Sequence, residues 1–271
     1  MLGLGNSLIS GTALEEAAFT PESISNIALW LKWNTNMTAD QDSGGTSLDP
    51  VRSTAAGNMV NGDRINAWNA AGSTSINASQ DTSADKPRWS TTTGEVGSVF
   101  SANNNKHMDL SSSITFAANT DFTIAVRFRA NDFAGSRAFL GHSAAEFVRL
   151  TDENTIRFKT DGTTSDVNSG TDLVADKDTT LIIVRSDGST GNINMFVRGK
   201  DSGYFDGTAA GTAWGSQFQD TEEVVISNIM ASADNTAEFD GAFKDVIIYN
   251  GTAVTSSQRE QIFDYLEAQE D

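Results

Sequence analysis

The sequence predicts an all-β protein: one antiparallel β-sandwich, with a short C-terminal helix and an N-terminal arm. Three observations carry this expectation. Short segments of alternating apolar and polar residues recur from about residue 95 to residue 250, and a period of two places one set on a core face. Turn clusters such as Ser-Asp-Gly-Ser-Thr-Gly (186–191) and Asn250-Gly251 separate them, at the spacing of an all-β fold. A helical pattern with a capping signal is best developed near the C-terminus, where Thr255 and Gln258 fit a capping box and Ile262, Phe263 and Leu266 form an apolar stripe.

The elements follow in order. Residues 27–33 are apolar and read as a first strand. Residues 34–93 are rich in Asn, Ser, Thr, Gly and Asp, and Pro21, Pro50 and Pro87 all precede residue 90; long loops with a few short strands are expected there. In 121–129, Phe122, Ile124, Val126 and Phe128 alternate with Asp121, Thr123, Arg127 and Arg129, which predicts the second set in water. Strands follow at 137–141, 146–150 and 154–159, where Ile156 and Phe158 alternate with Arg157 and Lys159. Leu181-Ile182-Ile183-Val184 suits a strand buried on both faces, and 180–198 reads as a hairpin. Val224–Ile226 and Val246–Tyr249 are the last strands, and the helix is expected over 256–268. No segment repeats at a fixed period, which argues against solenoids and propellers.

Composition excludes several functions. The chain has 271 residues, 18 Lys+Arg, 36 Asp+Glu, a net charge of −18 and no cysteine. It can form no disulfide, no cysteine zinc site and no thiol nucleophile. Its charge repels phosphate backbones, so no nucleic-acid partner is expected. No apolar run approaches the ~20 residues that span a bilayer, and the N-terminus lacks the basic region of a secretory signal. Residues 1–24 are instead expected to be a docking arm, with Leu2, Leu4, Leu8 and Ile9 as its apolar contacts. The sandwich domain is expected over 25–271.

Three segments resemble the laminin-G-like branch of the concanavalin A-like lectin/glucanase superfamily. The hairpin Thr180–Gly203 is similar to the family's paired strands, although Arg198-Gly199 stands where Asn-Gly is usual. Phe239-Asp-Gly-Ala-Phe-Lys-Asp-Val-Ile-Ile-Tyr-Asn resembles the closing strand, and Thr252–Glu260 the short helix after it. Trp30-Leu-Lys-Trp-Asn, Ala67-Trp68-Asn69, Lys86-Pro87-Arg88-Trp89 and Val99-Phe100 fall in the order seen in laminin-G-like proteins of marine tailed phages. The resemblance implies a jelly roll.

The family's β-glucan-cutting members share a Glu-x-Asp-x-Glu strand whose alternate carboxylates serve as acid and nucleophile. Neither Glu222-Glu223 nor Glu238 continues into that triplet, so no catalytic residues are assigned and a non-enzyme is expected. His107 and His142 lie in no nucleophile motif. The resemblance also implies a rim calcium. The candidates are Asp40 and Asp42, then Asp161, although Asp before Gly is first a turn former and that reading is preferred. A sugar would stack on an aromatic ring. Trp214 with Tyr204 is the first choice, followed by Trp68 and Trp89 in other polar loops.

The expectation is therefore a non-enzymatic phage virion structural protein, such as a capsid decoration, neck or tail-fibre component, that displays a lectin-like jelly roll to host-surface glycans. It would contact other virion proteins through the arm, form a homo-oligomer and assemble in the host cytoplasm, where a chain without cysteine is well suited. A free calcium-dependent lectin is the alternative, and a polysaccharide-degrading enzyme the third reading.

Overall fold

The structure, a computed structural model, describes residues 18–33, 35–40, 52–53, 61–90, 97–100, 106–133, 137–142, 147–160, 164–168, 173, 175–199, 212–213, 218–230 and 239–268. In chain order its strands are β1 (Ile27–Leu31), β2 (Met37–Asp40), β3 (Arg52–Ser53), β4 (Arg64–Trp68), β5 (Ala78–Ser79), β6 (Arg88–Ser90), β7 (Gly97–Phe100), β8 (Met108–Phe116), β9 (Phe122–Ala130) and β10 (Arg137–Gly141). They continue with β11 (Phe147–Asp152), β12 (Thr155–Lys159), β13 (Thr164–Asn168), β14 (Asp178–Ser186), β15 (Asn192–Gly199), β16 (Thr212–Ala213), β17 (Phe218–Gln219), β18 (Val224–Ile229) and β19 (Gly241–Asn250), before helix α1 (Ser256–Ala268).

The pairings between these strands are antiparallel and form the two layers of a jelly roll. The first sheet runs β15–β14–β9–β19. The free edge of β19 is shared by β1 at its Tyr249 end and β7 at its Gly241 end. The second sheet runs β13–β12–β11–β10–β18–β8–β5. β4 and β6 link the two at one side, since β4 pairs with β5 and β6, and β6 with β7. The inner faces meet in one apolar core, with Ile124, Val126, Phe128, Val246 and Ile248 facing Ile114, Phe139, Leu150, Phe158 and Ile226.

β19 enters the first sheet at Gly241, whose φ of +148° favours glycine. A Cβ there would lie 1.9 Å from the carbonyl oxygen of Arg129 on β9. Gly241→Ala is therefore expected to force β19 and β9 apart. The expected cost is about 1–3 kcal/mol from overpacking alone, read as a lower thermal midpoint.

The outer face of the first sheet is also covered, which corrects the expectation for 121–129. Thr123 and Arg127 are fully buried instead of facing water. Above them α1 inserts Ile262, Phe263 and Leu266 against Ala125, Ile182, Ile247 and Tyr249, each apolar side chain contributing about 1.5–3 kcal/mol on burial. The expected capping box holds the start of the helix: Gln258 Oε1 accepts from Thr255 N at 2.9 Å, and Thr255 Oγ1 from Gln258 N at 3.3 Å. Arg198 on β15 then anchors the helix through Asp264 and Glu267. Arg259 lies over the Phe196 ring at 3.6 Å. Phe19 meets Tyr265 edge-on at 6.0 Å, Ile24 is buried, and Tyr249 Oη donates to Pro21 O at 3.0 Å. Residues 19–24 of the expected arm thus pack on the chain's own sheet. Leu2, Leu4, Leu8 and Ile9 lie outside the described residues.

Beneath the helix lies a buried ionic layer. Arg127 donates to Asp178 Oδ2 at 2.8 Å and to the carbonyl of Leu266, in the last turn of α1, at 2.5 Å. Lys244 donates to the same Asp178 oxygen at 2.8 Å. Burial raises the Asp178 carboxyl pKa, but Lys244 and Arg127 outweigh it and hold the group below its usual range. Asp245 is completely buried, accepts from the backbone N–H of Trp33 at 3.0 Å, and is pushed up to about 6 by that burial.

Candidate binding face

The structure redistributes the residues singled out in the sequence. Trp68 is fully buried and donates Nε1–H to Lys32 O at 2.9 Å. Trp89 is buried and stacked on Trp33, centroids 4.9 Å apart and planes within 8°. Both loop positions turn out to be short strands whose inward residues fill the core, so neither ring offers a face to a sugar. Trp214 and Tyr204 lie outside the described residues, as do Asp42 and Asp161.

Asp40 is not arranged as a metal ligand. Its Oδ2 accepts from Lys86 Nζ at 2.5 Å and its Oδ1 from Asn66 Nδ2 at 3.1 Å, so an ammonium occupies the place a cation would take. Among the described residues no group of three or more His, Asp or Glu could hold a metal ion. His107 Nε2 lies 3.1 Å from Gln80 Nε2, and exposed His142 has Nδ1 2.9 Å from Ser227 Oγ.

The solvent side of the second sheet carries a row of mostly polar residues. Helix α1 lies on the opposite side of the molecule, over the first sheet. Cross-strand register aligns Ser79, Asp109, Asn228, Gly141, Phe147, Lys159 and Thr164 in one row from β5 to β13. At its centre Gly141 contributes no side chain beside Asn228. Asn228 is 5% exposed, and its Oδ1 accepts no hydrogen bond from the described residues. Leaving a buried acceptor unsatisfied costs about 1–3 kcal/mol, so this atom is suited to a donor from outside. A β-bulge between Ile226 and Asn228 re-aims the strand here.

Two residues further along β11, a parallel row joins Ala138, Arg149, Arg157 and Asp166. Arg157 forms a two-pronged pair with Asp166, Nε to Oδ1 at 2.5 Å and Nη2 to Oδ2 at 2.7 Å. That bond, and then the nearby Arg149 charge, hold the Asp166 carboxyl below its ordinary range despite partial burial. The alternation of Arg157 and Lys159 was visible in the sequence. Which residues on neighbouring strands stand opposite them was not, because register is set by the geometry of the connecting turns, which the alternation does not specify.

Among solved structures the chain is similar to domain 4 of AbnA, a GH43 extracellular arabinanase from Geobacillus stearothermophilus in complex with arabinotriose. The identity is 14%, with 88% of this chain and 98% of that one covered and a TM-score of 0.47. It is also similar to Trypanosoma rangeli sialidase, at 10% identity, 91% and 34% coverage and a TM-score of 0.49. A third likeness is to the heptameric SAP-like pentraxin from Limulus polyphemus, at 11% identity, 54% and 70% coverage and a TM-score of 0.39. No curated protein sequence matches the chain. The family is decided by sequence: residues 102–258, more than half of the chain, match the profile of the concanavalin A-like lectin/glucanases superfamily, to which this chain belongs.

Proposed function

We propose that this chain is a non-catalytic, glycan-binding jelly roll carried as a structural protein of a phage virion. The observation that carries the glycan reading is the row on the solvent side of the second sheet, centred on the buried Oδ1 of Asn228, which has no hydrogen-bond partner among the described residues. A sugar hydroxyl supplies the donor that this oxygen lacks. The family supports the same reading. The virion context rests on the sequence likeness to marine tailed-phage proteins, together with a cysteine-free composition.

The geometry of this face favours binding over hydrolysis. Two of its outward carboxylates, Asp109 and Asp166, stand on β8 and β13, with β18, β10, β11 and β12 between them. Five strand spacings of about 4.8 Å place them roughly 24 Å apart, whereas glycosidase pairs stand about 5–9.5 Å apart. Asp152, outward on β11 opposite Thr155, accepts from Asn154 N at 3.0 Å and lies two strands across and two residues along from Asp166, roughly 12 Å and still beyond that range.

A glycan array probed with the chain, with and without EDTA, tests this. Binding that survives the chelator is expected. Loss with EDTA would favour the free calcium-dependent lectin, and no binding in either arm would overturn the glycan reading. Asn228→Ala is expected to weaken binding about tenfold, or ~1.4 kcal/mol, without lowering the thermal midpoint. Mass spectrometry of purified particles is expected to find the chain among the virion proteins, and its absence from them would overturn the virion reading.

A further inference from the structure

We propose that the glycan taken by this face is anionic, and that Arg149 and Arg157 receive its carboxylate or sulfate group. This rests on the glycan reading above and names its ligand class.

The two arginines stand directly opposite each other on β11 and β12. Both point outward, because their neighbours Val148, Leu150, Ile156 and Phe158 are buried in the core. Like charges directly opposite on a sheet destabilise it, and nothing in the strand pairing requires them there. Asp166 lies beyond Arg157 on β13 and engages it from the far side. Lys159 adds a third outward cation two residues from Arg157. On their outward side these strands set Arg149, Arg157 and Lys159 against the carboxylates of Asp152 and Asp166, in a chain whose net charge is −18. That excess of one cation, against an acidic background, would draw an anion to this part of the face. Arginine in particular offers a planar fork matched to carboxylate and sulfate oxygens.

The spacing suits a sugar chain better than a lone ion. Arg149 lies two strands across from Asn228 and two residues along. At about 4.8 Å per strand and 3.4 Å per residue, the two are roughly 12 Å apart. That distance lets one residue of a polysaccharide place its acid on Arg149 and Arg157 while a neighbour's hydroxyls meet Asn228.

The test compares the full chain with Arg149→Gln and Arg149→Glu variants by affinity electrophoresis. The gels contain polygalacturonate as the carboxylated glycan, a carrageenan as the sulfated one, and laminarin as the neutral one. Retardation by an anionic gel is expected, weakened at least tenfold by Arg149→Gln and abolished by Arg149→Glu, and falling as salt rises. Retardation by polygalacturonate alone assigns a carboxylate, and by carrageenan alone a sulfate. Retardation by laminarin with no anionic preference, or anionic binding indifferent to both variants, overturns this inference and leaves the glycan reading standing. No retardation in any gel overturns both. Unchanged circular dichroism of the Arg149→Gln variant separates lost binding from lost fold.

Discussion

Asp178→Ala is expected to destabilise the fold by about 3–5 kcal/mol, the usual result of removing one partner from a buried ion pair. The Arg127 and Lys244 side chains are 0% and 1% exposed, and both donate to Asp178. Without that carboxylate two cations remain beneath α1 with their common anion gone. Urea unfolding should show a lower midpoint with an unchanged slope. The pH dependence has a definite sign. The folded pKa of Asp178 is depressed, so its stabilisation is present above its unfolded value, near pH 4, and is lost as pH falls through the lower folded value. The variant should therefore lose part of the acid-side decline in stability. A destabilisation below about 1 kcal/mol, the scale of an exposed pair, would show that water reaches this layer.

Asp245→Asn is expected to act in the opposite sense. The folded pKa of Asp245 is raised from 3.8 to about 6, so the buried site favours the protonated acid. Its contribution is complete below pH 4 and is lost as pH rises through about 6, a change of ~3 kcal/mol at 1.36 kcal/mol per pKa unit. Asparagine keeps an oxygen to accept from the Trp33 N–H and carries no charge. The variant should thus melt at a higher temperature than the parent at pH 8, with the two converging toward pH 4. Thermal melts at pH 4, 6 and 8 decide the matter. A variant less stable than the parent at pH 8 would show that the ionised Asp245 is needed beside Arg127 and Lys244.

These two carboxylates also mark where the sequence could and could not be read. The alternation in 121–129, the apolar run 181–184, the 180–198 hairpin and the capping box of α1 are local patterns, and each appears in the structure at the expected place. The sequence did not show that the polar half of 121–129 would be roofed by α1. A period of two identifies two faces and says nothing about what later covers the second. Trp68 and Trp89 misled for a related reason. Their neighbours Asn66, Asn69, Arg88 and Ser90 are polar, yet β4 and β6 are short strands, and one inward ring in each suffices to bury it. The candidate face was the least legible. Arg149 and Arg157 are eight positions apart in a sequence rich in charge, and only the turn after Asp152 sets them side by side.

The central place of β19 has a consequence for synthesis. Its register partners on β9 and β1 begin at Phe122 and Ile27, while β19 itself begins at Gly241. On the ribosome the first sheet therefore waits for the last of its strands with a gap in its middle. Until residue 250 emerges, the edge of β9 that pairs with β19 is left unpaired, and β1 has no strand to join. Such long-range closure is slow and exposes an unpaired edge to other chains. Nascent chains halted before residue 240 should consequently be held by chaperones or lost to aggregation, and those released after α1 should close into the finished sandwich.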